Sequence, residues 1–211
     1  GIFQNCGRNR PAWWVILSTE RHFDPAHLDA LIEPDRAEWT RPLELLEIAG
    51  VRRGMTCADV GCGPGFFTLR IAAKVVPGGR VFGVDDSQEM LDKLASLAAE
   101  NDLGDSVVPV LADAAETGLD EGSIDMVFCS FLYHEVADRR ELIREFVRIL
   151  KPGGAMTMVD WRKGARRPPG PPDDHRLTAE QMIDPMSDNG LTVADDEFSD
   201  LFHVIRAVSP G

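Results

Sequence analysis

Positive charge is scarce in this chain: 22 Lys and Arg stand against 35 Asp and Glu, for a net charge of -13 over 211 residues. A surface that acidic argues against tight, phosphate-driven binding to nucleic acid, leaving room only for a local basic patch. Cysteine is sparse as well. Cys6, Cys57, Cys62 and Cys129 show no paired metal-ligand spacing and no disulfide framework, so we expect a reducing cytoplasm and no metal. No apolar run is long enough to span a bilayer, and no membrane partner is expected. Trp13 to Leu17 is too short for a signal core and lacks a small-residue cleavage site. The chain starts at Gly1 rather than Met, which reads as a processed start or an expression remnant. Internal repeats are absent. What remains, at 44% hydrophobic and 27% charged, suits one globular domain with a proper core.

The most informative stretch is Thr56-Cys57-Ala58-Asp59-Val60-Gly61-Cys62-Gly63-Pro64-Gly65-Phe66-Phe67-Thr68. It reads as a short apolar strand, a glycine turn, and a helix starting near Phe66. Alternating Gly61, Gly63 and Gly65 let the chain turn tightly and present bare backbone N–H groups to a ligand. The positive end of the following helix favours a carboxylate or phosphate at the same place. A plain strand-to-helix connection needs no more than this. Asp59 adds the information, because its carboxylate repels a pyrophosphate and attracts an ammonium group. A ligand carrying both an ammonium and a carboxylate is an amino acid.

Upstream, residues 1–20 read as a loosely ordered arm whose Trp13–Leu17 cluster packs on the domain or on a partner subunit. Asp24-Pro25 starts a short helix over Ala26 to Leu31, which Glu33-Pro34 ends. A second helix spans Pro42 to Ala49, with Leu43, Leu46 and Ile48 toward the core and Gly50 as its stop. We therefore divide the chain into an arm and helix at 1–41 and a main domain at 42–211.

From Thr56 onward, strands and helices alternate. Helix Phe66–Val76 precedes strand Arg80–Val84, and Ser87 caps a helix from Gln88 to Asn101. Strand Val107–Leu111 comes next, then Ser123–Ser130, whose apolar run suits the centre of a sheet. Helix Asp138–Leu150 turns through Lys151-Pro152-Gly153-Gly154 into strand Ala155–Asp160. Such alternation predicts an α/β fold with a parallel sheet and right-handed crossovers. After a Pro- and Arg-rich linker at Arg162 to Pro172, a helix from Thr178 to Asn189 and strands near Leu191–Phe198 and Leu201–Val208 complete the sheet.

Asp59-x-Gly61-x-Gly63-x-Gly65 resembles the first motif of class I S-adenosylmethionine-dependent methyltransferases, and four further matches follow in order through Asp160. The motifs resemble the small-molecule, quinone-biosynthesis-like, type 11 branch. The resemblance implies a Rossmann-like doubly wound sheet, mostly parallel with an antiparallel C-terminal strand. It implies S-adenosylmethionine as cofactor and in-line methyl transfer to a small-molecule acceptor. It also implies N-terminal helices that cover the cofactor and contribute to the acceptor pocket. Ligands of open α/β sheets sit beyond the carboxyl ends of the strands, and the resemblance distributes roles there. Asp59, Gly61, Cys62, Gly63 and Gly65 take the methionine end, and Asp85 the ribose hydroxyls. Asp86 stands where the family often has an apolar residue near adenine. Asp113 and the Ala114 N–H take the adenine edge. Cys129 and Ser130 line the methionine portion, largely through main-chain atoms.

Tyr133-His134-Glu135 directly follows the central strand. His134 is the candidate catalytic residue, as a general base or a group that orients the acceptor; it equally suits packing against backbone. Tyr133, the only tyrosine, closes the pocket or simply packs. His175 and His203 are weaker candidates, and Asp160-Trp161 is a candidate wall of the acceptor pocket. Cys129, with Cys62, is a conceivable holder of a soft metalloid acceptor; a buried strand thiol is the preferred reading. Arg162, Lys163, Arg166 and Arg167 form the one basic cluster, read as a solvated loop in preference to an anion site. Two other classes compete. A nicotinamide-dependent oxidoreductase would have no reason to keep Asp59 or Asp113, and a cofactor-binding regulatory protein would bind without transferring methyl.

Overall fold

A computed structural model describes residues 34–165, 170–196 and 198–211. The expected arm, its tryptophan cluster, the helix over Ala26 to Leu31, and Arg166 and Arg167 lie outside the described residues.

Helix α1 (Pro34–Thr40) begins where the sequence reading ended one. Proline terminates a preceding helix but is well placed in a first turn, where its missing N–H costs nothing. After one left-handed residue, Arg41 at φ 46°, α2 (Pro42–Ala49) follows and stops at Gly50, φ 77°. Pro42, Leu45, Leu46 and Ala49 are its buried residues. Their spacing defines one helical face, and Leu43, expected in the core, lies off that face at 65% exposure.

The alternating segment forms β1 (Thr56–Val60), α3 (Thr68–Val75), β2 (Arg80–Asp85), α4 (Gln88–Glu100), β3 (Val107–Leu111), β4 (Ile124–Ser130), α5 (Arg139–Ile149) and β5 (Leu150–Trp161). After a 3-10 turn at Asp173–His175 come α6 (Ala179–Asp188), β6 (Thr192–Asp196) and β7 (Phe202–Val208). Side-chain caps mark three helix starts. Ser87 accepts from Met90 N before α4, Asp138 from Arg140 and Glu141 N before α5, and Thr178 forms a capping box with Gln181 before α6. Each satisfies N–H groups that no preceding turn can reach.

The seven strands lie in the order β3-β2-β1-β4-β5-β7-β6. Pairings are parallel from β3 through β5, and β7 runs antiparallel between β5 and β6. This is the expected Rossmann-like sheet with its antiparallel C-terminal strand. Lys151–Gly154 is not a turn leading into β5. It is an irregularity within that strand: Leu150 pairs with Ile124 and Ala155 with Met126, so the intervening residues bulge from the ladder.

Two core layers sandwich the sheet. One face packs Leu45, Leu46, Phe67, Ile71 and Leu94 against Cys57, Val81 and Phe128. The other packs Leu142, Ile143, Phe146, Met182 and Met186 against Ala58, Val127, Met156 and Ile205. The chain winds outward from β1 through β2 to β3, then crosses back to β4. That reversal opens the crevice between the carboxyl ends of β1 and β4, where open α/β sheets bind ligands.

Candidate functional site

The glycine turn leaves β1 with Gly61, Gly63 and Gly65 all at positive φ, 73°, 52° and 99°. A Cβ on Gly61 would come within 2.7 Å of Leu132 Cδ2, so both conformation and space require glycine there. The turn does not present bare N–H groups as the sequence reading expects. Gly61 and Cys62 N both donate to Val84 O, at 2.9 and 3.0 Å, and Gly65 N donates to Cys62 O at 3.1 Å. Gly63 N donates to Asp85 Oδ2 at 2.8 Å. The Gly61, Cys62 and Gly63 donors anchor the turn to β2, and that of Gly65 closes the turn on itself.

Asp59 lies beneath the turn, 1% exposed. Its Oδ2 accepts from Thr68 Oγ1 at 2.6 Å, in the first turn of α3, while Oδ1 is buried without a hydrogen-bond partner. Burial pushes the carboxyl up to about 7, against the Thr68 hydrogen bond and the nearby Arg36 guanidinium, which favour the charged form. An unpaired buried carboxylate oxygen costs free energy until a donor reaches it, and an ammonium group supplies both donors and compensating charge. The residues therefore fit the amino-acid end of S-adenosylmethionine.

Asp85, at the end of β2, accepts from Gly63 N and, at 3.0 Å through Oδ1, from Ser87 N. Burial raises its pKa against those two hydrogen bonds, and each oxygen keeps lone-pair capacity for a further donor. Asp86 beside it is exposed. Asp113 is exposed and accepts from Ala115 N at 2.7 Å; Ala114 packs against the second core layer. The register of Asp85 with Leu111 on β3 puts these acids along one end of the sheet. Cys129 is 1% and Ser130 8% exposed at the end of β4. Cys62 and Cys129 belong to opposite core layers. Burial holds both thiols well above their ordinary pKa, which leaves them protonated and poor holders of a soft acceptor.

Past β4, Phe131 takes a left-handed φ of 56°. His134 follows, with an 8% exposed side chain, and its Nδ1 lies 2.8 Å from Asp160 Oδ1. Burial disfavours the imidazolium, but the Asp160 carboxylate, its hydrogen bond and Glu135 outweigh burial and raise the pKa above its ordinary value. Tyr133 is 1% exposed. It packs in the second layer, its ring 5.4 Å from the Arg139 guanidinium. His203 lies on β7 with Nε2 3.2 Å from Leu177 O, and His175 sits in the 3-10 turn.

The sequence reading missed helix α1 itself, with its Arg36 and Trp39. Trp39 stacks 5.4 Å from Trp161 and 5.6 Å from Phe131, and Phe131 lies 4.6 Å from Trp161. Arg36 Cζ sits 4.4 Å from the Phe66 ring centroid and 5.6 Å from that of Phe131. The signal available was Arg36 and Trp39, spaced to share a helix face and preceded by a proline start. Among the described residues, no group of three or more His, Cys, Asp or Glu could hold a metal, and no helix is long and apolar enough to cross a membrane.

Residues 58–158 match the family model described as methyltransferase domain. The chain is 30% identical over 161 residues to the demethylmenaquinone methyltransferase of Staphylococcus aureus, covering 75% of this chain and 58% of that protein. It is 36% identical over 138 residues to an uncharacterized 37.1 kDa protein in transposon TN4556 of Streptomyces fradiae, covering 64% of this chain and 39% of that one. The chain thus spans about half the length of the curated relatives it matches. Among solved structures, a SAM-dependent methyltransferase from Aquifex aeolicus superposes with a TM-score of 0.83 at 26% identity, over 89% of this chain and 99% of that one. With the strand order, the glycine turn and the acids at the strand ends, these likenesses converge: residues 58–158 match a methyltransferase domain, and along most of its length the chain is similar to S-adenosylmethionine-dependent methyltransferases.

Proposed function

We propose that this protein transfers a methyl group from S-adenosylmethionine to a small-molecule acceptor by in-line displacement. The observation that carries the reading is the buried, unpartnered Oδ1 of Asp59 beneath the glycine turn, which calls for a cationic donor. When bound, the cofactor supplies a methyl carbon made electrophilic by its sulfonium; the acceptor lone pair forms the new bond while the carbon–sulfur pair returns to sulfur.

In this reading Asp59 pairs with the ammonium of the amino-acid end, and the turn of Gly61, Cys62, Gly63 and Gly65, its N–H groups engaged within the fold, offers that end close backbone approach and carbonyl oxygens. Asp85 takes the ribose hydroxyls, and Asp86, Asp113 and Ala114 line the adenine side. Cys129 and Ser130 contribute main-chain atoms beside the methionine chain. His134 stands beyond β4 as the base. Helix α1, which lies within the N-terminal region 1–41, covers the site in this reading, and 42–211 is the cofactor-binding domain. Trp39, Phe131 and Trp161 exclude water on the acceptor side, which strengthens electrostatic interactions within. The similarity to a demethylmenaquinone methyltransferase supports a small organic acceptor. The net charge of -13 speaks against nucleic acid as that acceptor. Among the described residues, the three buried free thiols of Cys57, Cys62 and Cys129 suit a cytoplasmic location.

Calorimetric titration with S-adenosylhomocysteine and with a nicotinamide dinucleotide, followed by a radiolabelled methyl-transfer screen over small acceptors, tests the reading. Binding of the first ligand alone, with label reaching an acceptor, is the expected result. Binding without transfer across the screen would favour a regulatory protein, and dinucleotide binding would favour an oxidoreductase.

A further inference from the structure

We infer that Asp160 is the positioning residue for a proton-accepting His134, and that the methyl acceptor carries a proton on its attacking atom; the inference rests on the methyltransferase reading above. Asp160, the penultimate residue of β5, has a fully buried side chain. Its Oδ2 accepts from the backbone N of His134 at 2.9 Å, and its Oδ1 lies 2.8 Å from the His134 ring Nδ1. Oδ1 also accepts from Trp161 N at 2.6 Å. An ionised carboxylate only accepts, so Nδ1 is the ring nitrogen that carries hydrogen, and in the neutral ring the lone pair lies on Nε2. Gripping backbone and ring together fixes both the position and the plane of the imidazole.

The opposite side of the loop is held too. Arg139 Nε donates to Tyr133 O at 3.1 Å and its Nη2 to His134 O at 3.4 Å. The backbone N, the backbone O and Nδ1 of His134 are thereby engaged, while Nε2 stands 3.5 Å from Glu135 Oε1. That separation is too long for a good hydrogen bond but close enough for charge attraction. The groups facing the ring are Asp160 on β5, Glu135 on the same loop and Arg139 on α5. His203, the cross-strand neighbour of Asp160 on β7, is tied to Leu177 O. Two carboxylates against one guanidinium favour a proton arriving at Nε2, in keeping with the raised His134 pKa.

Such an arrangement serves an acceptor that must lose a proton. As the acceptor atom forms its bond to the methyl carbon, the proton on that atom passes to Nε2. The resulting imidazolium is held by Asp160 and later releases the proton to solvent past Glu135. An acceptor already ionised at neutral pH needs no such group, so the acceptor class is a protic nucleophile such as a hydroxyl.

Nitrogen-15 NMR of the histidine rings, with S-adenosylhomocysteine present and no acceptor, tests the geometry without turnover. We expect neutral His134 to carry its proton on Nδ1, and its titration to move to lower pH in Asp160→Asn. A neutral ring protonated on Nε2 overturns the inference, and this measurement on the parent chain stands even where Asp160→Asn fails to fold. Glu135→Gln is the second variant, expected to lower the His134 titration by a smaller amount; no change in either variant overturns the inference. With a protic acceptor, the rate should rise with pH through the His134 titration. Asp160→Asn should shift that limb to lower pH and reduce the plateau by about 100-fold, with cofactor affinity within a few-fold of parent. A limb that stays in place sinks the positioning role. Failure to bind S-adenosylhomocysteine would instead sink the methyltransferase reading, leaving the NMR result to decide the His134–Asp160 relationship.

Discussion

The backbone N of Gly63 donates to Asp85 Oδ2 at 2.8 Å, tying the glycine turn after β1 to the acid at the end of β2. The same carboxylate holds Ser87 N, the cap of α4. One side chain thus braces both the glycine turn and the helix start. Asp85→Ala should cost about 2–3 kcal/mol of cofactor affinity through lost charge-assisted bonds to the ribose. Because the variant also frees two backbone donors, thermal unfolding without ligand should occur at a lower temperature. Calorimetry and a melting curve separate the effects, and affinity within a few-fold of parent would remove Asp85 from the ribose.

Gly61 combines φ 73° with a Leu132 methyl 2.7 Å from where a Cβ would stand. Gly61→Ala should destabilise the fold by roughly 1–2 kcal/mol from the left-handed backbone alone. Adding Leu132→Ala relieves the contact and not the conformation, so the double variant should recover only part of the loss. Full recovery in urea unfolding would show that space, and not φ, sets the requirement.

If Asp59 pairs with the ammonium group as proposed, cofactor affinity should depend on pH. Its carboxyl, ordinarily near 3.8, is pushed up to about 7 by burial. In the ligand-free fold, the protonated group contributes stability that is fully present below 3.8 and lost as pH rises through about 7. An ammonium ligand reverses the preference, because it pairs with the ionised form. Affinity for S-adenosylhomocysteine should therefore increase with pH, by up to about tenfold per pH unit below the Asp59 titration, and level off above it. Titration calorimetry from pH 5.5 to 8.5 checks this, and Asp59→Asn should flatten the curve while weakening binding at the high end.

Trp39 joins α1 to the aromatic group formed by Phe131, Trp161 and Phe202, with centroid separations of 5.6, 5.4 and 6.2 Å. Its removal in Trp39→Ala should cost about 2–3 kcal/mol of stability, below the full range for a wholly buried tryptophan because Trp39 is only half-buried. If α1 covers the acceptor side, KM for the acceptor should rise while S-adenosylhomocysteine affinity changes little. Equal losses for both ligands would assign α1 to the cofactor.

The sequence by itself determined the sheet-forming pattern, the glycine turn, the acids at the strand ends and the helix cap at Ser87. These depend on near neighbours: a side-chain oxygen reaching an N–H three residues on, or a glycine relieved of its Cβ. Tertiary structure decided what depends on register and packing. Only the parallel pairing of Ser130 with Val159 brings the loop after β4 beside the end of β5, so that His134 meets Asp160. The pairing of Val60 with Val84 lets the turn spend its N–H groups on β2 instead of on a ligand. The face chosen by Pro42, Leu45, Leu46 and Ala49 turned Leu43 outward. Pro34, which locally ends one helix as readily as it starts another, resolved into the start of α1 once Trp39 found aromatic partners on β5 and β7. Local chemistry specifies which elements form, while contacts between residues far apart in the chain specify which side chains meet.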